Sequence, residues 1–310
     1  MKLRIVKASQ GYVWLRQGLQ VSLRQPFQFV GLLGLCVSAA LLLIGLPVVG
    51  PLLVVGCMPL MWLGFMQATR KVLQGERFHP GVLFEAFKGA DSPRRTLAQL
   101  AGGYVMATLV VMQLAQLLGP GADEVAAVFE TTETAAELVN NPLIQQDILW
   151  RVLLTLPVSL LFWHAPALIL WARLSVSKAL FFSIVACWRN LGAFAVYGLC
   201  WFGVVLALGL FDRFILSQLP VPLLGNVLAI AGGMWVASAF YASLYFTFVD
   251  CFMFGAPREL PGDFAEVIAQ LPAAEGILPL DEATLEQLVT IDREGWKAEM
   301  QSIGEYLDGF

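Results

Sequence analysis

The sequence predicts an all-α polytopic transmembrane helical bundle, with six spans arranged as three hairpins and an amphipathic interfacial helix before each hairpin. Three observations predict this fold class. Of the 310 residues, 58% are hydrophobic and 14% are charged, whereas soluble domains carry about 25% charged residues. Six apolar runs are each long enough to cross about 30 Å of hydrocarbon. Basic residues are concentrated at alternate ends of these runs.

The six spans follow from the lengths of the apolar runs, at about 1.5 Å of rise per helical residue. Glycine and proline residues in Gly45–Pro51 break the helix between the first two runs and leave room only for a tight turn. The first two spans therefore form a hairpin, and the later runs pair in the same order. The predicted spans are 27–46, 51–69, 98–118, 149–171, 191–211 and 224–249.

The distribution of lysine and arginine predicts the orientation of the spans. Fourteen of these residues lie in 1–26, 70–96 and 173–190, whereas the alternate side has Arg151 and Arg213. Basic residues beside spans stay on the cytoplasmic side, so both termini are predicted to be cytoplasmic. The loop 119–148 is acidic, contains no base, and is predicted to lie outside.

Three amphipathic stretches with basic ends precede the three hairpins and indicate an internal repeat. The first and third align without a gap, so that Gln25 matches Asn190 and Phe29 matches Phe194. Apolar residues on one helical face with lysine or arginine at its edge are typical of a helix in the headgroup plane. The three stretches are Tyr12–Arg24, Gly81–Arg95 and Ser175–Arg189.

The chain divides into a six-span membrane domain, residues 1–254, and an acidic cytoplasmic tail, residues 255–310. The tail carries twelve acidic and three basic residues, whereas the rest of the chain has a positive balance. From Asp281 onward the apolar spacing predicts an amphipathic helix. Trp296 and Met300 lie on its apolar positions and are predicted to dock a cytoplasmic protein partner or the protein's own membrane domain.

Four segments carry a family resemblance: Ser9–Leu19, Leu63–Lys71, Phe162–Trp171 and the most specific, K-A-L-F-F-S-I-V-A-C-W-R-N (Lys178–Asn190). Together they resemble an uncharacterised family of six-helix inner-membrane proteins from Proteobacteria. They are more distantly similar to the membrane domain attached to some glycerophosphodiester phosphodiesterases. The resemblance leaves out the acidic tail. It implies a bacterial inner-membrane location and a six-span topology, and it supplies no catalytic residues.

The predicted spans contain few polar side chains, and four of them form a candidate intramembrane polar site: His164, Gln113, Gln116 and Asp250. His164 precedes Pro166 by two residues, where a polar side chain can help to satisfy a backbone carbonyl that the proline frees. A proton relay or a substrate contact is the alternative role, since ionisable groups at membrane depth are often functional.

The other members of this candidate site also have two interpretations each. Gln113 and Gln116 are three residues apart and share one helical face, so interhelical hydrogen bonds are the simpler role. Asp250 closes the sixth span and is expected to be an interfacial acid near Arg173 or Arg258. Ion coupling is the alternative for Asp250.

Basic residues at the span boundaries predict contacts with anionic lipid headgroups. Nucleic-acid binding is not predicted, because these residues follow the membrane boundaries and form no patch with exposed aromatic side chains. The sequence contains no phosphate-binding or dinucleotide-binding loop and no hydrolase motif, so no cofactor, metal site or catalytic residue is predicted. The candidate headgroup contacts are Arg24, Arg94, Arg95, Arg173 and Arg189.

Two hypotheses for function follow. In the first, the protein is a non-enzymatic membrane scaffold or assembly factor that holds lipid headgroups and docks a partner through its tail. The small number of buried ionisable groups favours this hypothesis. In the second, it transports a lipid or a small molecule through a cavity near His164. Ion-driven transport usually needs more buried charge and broken helices at the midplane, and only the Pro166 region indicates such a break.

Overall fold

The computed structural model describes residues 2–89, 92–132, 135–218 and 220–253. These residues form α-helices joined by short connections, together with two 3-10 helices and two strands of two residues each. The predicted acidic tail, including Trp296 and Met300, lies outside the described residues. In chain order the α-helices are α1 Gln10–Arg24, α2 Pro26–Ile44, α3 Val49–Leu73, α4 Arg94–Leu118, α5 Ala122–Thr131, α6 Ala135–Asn140, α7 Pro142–Phe162, α8 Ala165–Ala172, α9 Val176–Arg189, α10 Leu191–Phe214 and α11 Pro222–Cys251.

Six helical segments of the described chain are long and apolar enough to cross a membrane, which confirms the predicted fold class. The predicted turn between α2 and α3 is also confirmed. A Cβ atom at Gly50 would lie 1.8 Å from the Leu43 carbonyl oxygen, so glycine is needed where α3 begins this close to α2. The segments are Pro26–Ile44, Val49–Leu73, Arg94–Leu118, Pro142–Ala172, Leu191–Gln218 and Leu223–Cys251.

The fourth span begins earlier than predicted, and much of the predicted outer loop is helical. Pro142 is the first residue of α7, and the side chain of Asn141 accepts a hydrogen bond from the Leu143 N–H. Asp147 and Arg151 form an ion pair of 2.7 Å one turn apart inside this helix. The ion pair joins Asp147, which the prediction placed in the outer loop, to Arg151 inside the predicted span, and so lies along one helical face of the longer helix.

The second amphipathic stretch differs from the other two in its secondary structure. It contains a 3-10 helix, Pro80–Phe87, and Arg94 and Arg95 belong to the start of α4. The ion pair between Lys71 Nζ and Glu85 Oε1, at 2.9 Å, ties this short helix to the end of α3. The second copy of the predicted repeat therefore lies against the bundle as a short turn-like segment.

The first and third copies of the repeat have the same structure. A single residue, Gln25 or Asn190, joins the interfacial helix to the span that follows it. The side chain of Gln25 donates to the Glu76 carbonyl, and the side chain of Asn190 donates to the Arg4 carbonyl. The same helical face is buried in both copies: Trp14, Gly18, Val21 and Ser22 in α1 match Ala179, Ser183, Ala186 and Cys187 in α9.

The final span, α11, is the central helix of the bundle and packs against α1, α2, α3 and α10. Its small polar residues bond to neighbouring helices. The Tyr197 and Ser243 hydroxyl oxygens lie 2.5 Å apart, and the Trp163 indole N–H donates to Thr247 Oγ1 at 3.2 Å. Small side chains allow helices to approach closely in a membrane, where polar groups then bond across the interface.

Buried side chains are concentrated in one half of the bundle, the half that contains α1, α8 and α9. They lie mainly in the first part of α2 and α10 and in the last part of α3 and α11. Exposed apolar side chains cover the opposite halves of these spans, as expected where lipid is the solvent. Examples are Leu42, Leu117, Phe202 and Leu223.

The two ends of the described chain meet in this densely packed half. The strand β1 (Lys2–Leu3) pairs antiparallel with the strand β2 (Phe252–Met253), and the Arg4 N–H donates to the Cys251 carbonyl at 2.9 Å. The residues before the first span and those after the sixth therefore lie on the same side of the bundle. An even number of spans requires this arrangement.

Candidate functional site

His164 lies at a break in the fourth span and is completely buried. Three phenylalanine rings surround it, with centroid distances of 5.3 Å to Phe252 and 5.9 Å to both Phe194 and Phe248. Neither ring nitrogen has a hydrogen-bond partner among the described residues. Its imidazole is therefore held in an aromatic environment inside the bundle.

Ser183 on α9 bridges the backbone at this break. In a continuous helix the His164 N–H would donate to the Leu160 carbonyl. Here the His164 N–H donates to Ser183 Oγ at 3.0 Å, and that hydroxyl donates to the Leu160 carbonyl at 2.9 Å. A side chain inserted into the backbone ladder is a known cause of kinks. The Ser183 hydroxyl, rather than the His164 imidazole, satisfies backbone groups at the break beside Pro166.

Asp250 is buried near the end of α11, where it accepts hydrogen bonds from α1. The Gln10 side-chain amide donates to Asp250 Oδ2 at 2.6 Å, and the Trp14 indole N–H donates to the same oxygen at 2.8 Å. Hydrogen bonds to a carboxylate are stronger than those between neutral groups. Asp250 therefore anchors the first interfacial helix to the last span.

The structure brings His164 and Asp250 into the same region of the bundle. The Phe194 ring connects their surroundings, because it lies 5.9 Å from the His164 ring and 5.2 Å from the Trp14 indole that bonds to Asp250. Gln113 and Gln116 lie elsewhere, exposed near the other end of α4. The four residues of the candidate polar site do not converge.

Sequence reasoning missed three side chains at this site. Gln10 and Trp14 are one helical turn apart, a spacing that places both on one face of α1. That spacing was a usable signal for a shared partner, although nothing in the sequence identifies the partner as Asp250. Ser183 is a single polar residue on the buried face of α9, and its role depends on the backbone break in another helix.

The five predicted headgroup arginines are all exposed. Arg24 and Arg189 end the equivalent helices α1 and α9, and Arg173 follows α8. Arg94 and Arg95 begin α4. All five lie on the side of the bundle where the described chain ends meet, because each is at that end of its span.

The outward face of α9 combines aromatic and basic side chains. Phe181 is 61% exposed and Trp188 is 70% exposed, and both lie on one face at a spacing of seven residues. Lys178 and Arg189 are exposed beside them. Aromatic side chains with neighbouring bases are typical of a helix at the membrane–water interface.

A comparison with known proteins gives one relative over most of the chain. The chain is 31% identical over 265 residues to a protein of Burkholderia thailandensis described as a probable inner membrane protein. The match covers 83% of this chain and 97% of the relative. The chain belongs to the family of this inner-membrane protein. No protein-family model matches the chain, and no solved structure matches it.

Membership of this inner-membrane family agrees with the six membrane-length segments. The protein is therefore a multi-pass integral protein of the inner membrane. The relative's description refers to its location and to no reaction. Among the described residues, no three His, Cys, Asp or Glu side chains lie close enough to hold a metal ion.

Proposed function

We propose that the protein is a non-enzymatic scaffold of the inner membrane that holds anionic lipid headgroups at its cytoplasmic face. The single observation that carries this proposal is the structure of α9. This helix docks into the bundle through its small residues and presents Phe181, Trp188, Lys178 and Arg189 outward. Such a face places rings among the upper acyl chains and cations among the phosphates.

The location of the basic residues supports the same function. The predicted headgroup arginines lie on one side of the bundle, and the positive-inside rule makes that side cytoplasmic. The cytoplasmic leaflet carries the anionic lipids that attract such residues, at about 1 kcal/mol for each Lys or Arg near the surface. The more distant likeness to phosphodiesterase membrane domains stays a prediction from the sequence.

Retention of phosphatidylglycerol by the purified full-length protein tests this function. The double variant Lys178→Gln/Arg189→Gln removes both cations of the α9 face. It should retain phosphatidylglycerol about fivefold less well for each lost charge, which is the factor that corresponds to about 1 kcal/mol. Native mass spectrometry of protein released from nanodiscs measures the retained lipid.

Arg213→Gln is the matched control, because Arg213 is exposed at the end of α10 on the opposite side of the bundle. This control should retain as much phosphatidylglycerol as the unchanged protein. Equal loss in both variants, or no loss in either, would contradict a headgroup-binding function for α9.

We propose that the acidic tail, residues 255–310, is the segment that docks the partner of the scaffold. Its apolar positions Trp296 and Met300 and its negative charge fit a cytoplasmic protein with a basic, partly apolar surface. The double variant Trp296→Ala/Met300→Ala should reduce recovery of the partner in a cross-linked pull-down from cells. Unchanged recovery of every co-purifying protein, relative to the full chain, would exclude this role for the tail.

A transporter for a small molecule or a lipid is the second candidate function. The observation that favours it is the buried His164 side chain, whose two ring nitrogens have no partner in the described part of the chain. A translocated solute would be a natural partner for such a group. His164→Phe should then abolish uptake into proteoliposomes while leaving thermal stability unchanged. A stable variant with normal uptake would exclude a transport role for His164.

A further inference from the structure

The three hairpins α2–α3, α4–α7 and α10–α11 meet at three seams, and two of these seams are closed by direct helix packing. At each closed seam the second span of one hairpin packs against the first span of the next, α3 against α4 and α11 against α2. A Cβ atom at Gly56 would lie 3.2 Å from Val105 Cγ2, so α3 and α4 approach closely. The equivalent seam between α7 and α10 differs, because these two helices do not pack along their lengths in the described part of the chain.

Aromatic rings bridge α7 and α10 near the end of α7. The Trp163 ring lies 5.6 Å from Phe194 and 6.3 Å from Tyr197, both on α10, and 6.3 Å from Phe240 on α11. The Trp201 ring of α10 lies 5.5 Å from Phe240. These five rings form an aromatic floor between the three helices.

On the side of this floor away from α9, α7 carries a stripe of exposed apolar side chains. Leu149, Val152 and Leu156 precede Trp163 by fourteen, eleven and seven residues, a spacing that places all four on one helical face. Leu149 is 63% exposed, Val152 is 55% exposed and Leu156 is 52% exposed. The face of α7 that contacts α10 at the floor is therefore uncovered above it.

The walls that α10 and α11 form above the floor are also open. Gly198 and Val205 follow Phe194 by four and eleven residues and share its helical face. Val205 is exposed, and a Cβ atom at Gly198 would meet nothing within 4 Å. The same holds at Gly233 of α11, seven residues before Phe240. We call the space bounded by these walls and the α7 stripe the α7–α10 cleft.

The position and lining of the cleft determine what can fill it. An empty apolar space forfeits the dispersion contacts of its walls. Water needs two to four polar partners, and Ser159 is the one polar side chain on the α7 stripe. A helix with its side chains is about 10–12 Å across, which is too wide to reach a floor that single aromatic side chains span. A hydrocarbon chain is narrow enough and is the solvent at this depth.

The length of the cleft agrees with such an occupant. From Leu149 to Trp163 the stripe runs for about 21 Å, at about 1.5 Å per residue. The hydrocarbon of one leaflet is about 15 Å thick, half of the bilayer core. A chain whose headgroup lies at the membrane surface opposite α9 can therefore extend along the stripe toward the aromatic floor.

We propose that the α7–α10 cleft binds one acyl chain of a phospholipid from the leaflet opposite α9. The chain takes the place of the helix packing that closes the other two seams, and its end contacts the Trp163 ring. This site lies at the other end of the bundle from the headgroup face of α9. It therefore goes beyond the proposed headgroup-binding function and does not depend on it.

Disulfide formation across the seams tests whether the cleft is open. In full-length protein without native cysteines, Val152→Cys/Val205→Cys places a thiol on each wall, and both positions lie eleven residues from the aromatic floor. Gly56→Cys/Val105→Cys is the matched control across a packed seam. A disulfide needs Cβ atoms about 3.5–4.5 Å apart. Under copper–phenanthroline in membranes, the control pair should lose its free thiols and the cleft pair should keep them.

Photocross-linking identifies the occupant. The probe is phosphatidylcholine with a diazirine halfway along one acyl chain, in vesicles that contain the full-length protein. Cross-links to Leu149–Leu156 are counted by peptide mass spectrometry against cross-links to Leu35–Leu42, whose exposed side chains meet bulk lipid. The proposal predicts an excess on α7. Gly198→Phe fills the cleft and should remove that excess, whereas Gly31→Phe, at a glycine whose Cβ position is equally free of neighbours, should leave it unchanged.

Three results would overturn the proposal. The cleft pair could form a disulfide within one chain as fast as the control pair, which would mean that the seam is closed. Cross-links could be equally frequent on α7 and α2, or survive Gly198→Phe, which would mean that only bulk lipid is present. A disulfide between the Val152→Cys thiols of two chains would assign the cleft to a second copy. Because Lys178→Gln/Arg189→Gln reports on α9 alone, each of these results leaves the test of headgroup binding intact.

Discussion

At the scale of single residues, the break between α7 and α8 shows how this protein satisfies buried backbone groups in the middle of its bundle. His164 and Ser183 are fully buried at this break, so an unpaired backbone N–H or C=O there would be costly. Ser183 satisfies both the His164 N–H and the Leu160 carbonyl through one hydroxyl. The fourth span is therefore coupled to the interfacial helix α9.

Removal of this hydroxyl tests its structural role. Ser183→Ala leaves the His164 N–H and the Leu160 carbonyl without their bridge, which should destabilise the protein by about 1–3 kcal/mol. Ser177→Ala is the matched control, because Ser177 lies on the exposed face of the same helix. Thermal unfolding of the purified protein in detergent measures both. Equal stability of the two variants would mean that the helix closes the gap by itself.

Individual site residues were only partly predictable from the sequence. His164 and Asp250 were selected because ionisable groups are rare in apolar spans, and both are buried in the same region. Gln113 and Gln116 were predicted as polar residues that share one helical face, yet they are exposed, because hydropathy does not specify which face of α4 meets the bundle. The partners Gln10, Trp14 and Ser183 depend on contacts between distant helices, which a single sequence does not encode locally.

At the scale of elements, the packing of α1 against α10 and α11 depends on glycine. A Cβ atom at Gly18 would lie 2.4 Å from Ser243 Cβ and 2.9 Å from the Ala239 carbonyl oxygen. Because Gly18 has no Cβ atom, the backbones of α1 and α11 lie close together. This close approach lets the Gln10 and Trp14 side chains reach Asp250. The interfacial helix is therefore part of the packed core as well as part of the surface.

Gly18→Ala should separate α1 from α11. Overpacking in a well-packed core costs about 1–3 kcal/mol, and the separation should also weaken the bonds to Asp250. Gly31→Ala in α2 is the matched control, because nothing lies within 4 Å of a Cβ atom there. Alanine at that position should leave the stability unchanged or raise it, since alanine favours helix. Denaturation of both variants in the same detergent checks this, and equal stability would contradict the close approach.

The elements themselves were largely predictable. The lengths of the apolar runs identified the six spans. The first and third amphipathic stretches, which align without a gap, are both helices, and the same face of each is buried. Two elements departed from the prediction. The helix α7 begins before the predicted span and includes the ion pair of Asp147 with Arg151, and Pro80 starts a 3-10 helix in place of a second interfacial α-helix.

At the scale of the whole molecule, the bundle is densely packed at one end and covered with exposed apolar side chains at the other. Aromatic rings around His164 and Trp14 fill the packed end. The same end holds the five arginines that the sequence predicts to contact headgroups and the paired strands β1 and β2. Dense packing, basic residues and the two ends of the described chain therefore lie on the same side of the bundle.

The orientation of that side is a separate prediction. In a variant without native cysteines, Ser217→Cys and Ser177→Cys place exposed thiols at opposite ends of the bundle. A membrane-impermeant maleimide should label Ser217→Cys in intact spheroplasts and should label Ser177→Cys only after lysis, because the positive-inside rule predicts that the basic side faces the cytoplasm. The reverse pattern would contradict the orientation.

An experimental structure of the full-length protein in nanodiscs that contain phosphatidylglycerol tests the central claim most directly. The headgroup-binding scaffold predicts ordered lipid phosphate beside Lys178 and Arg189 of α9, with His164 enclosed by Phe194, Phe248 and Phe252. A continuous polar cavity that reaches His164 and contains solute, with no ordered lipid at α9, would contradict this account and establish the transporter in its place.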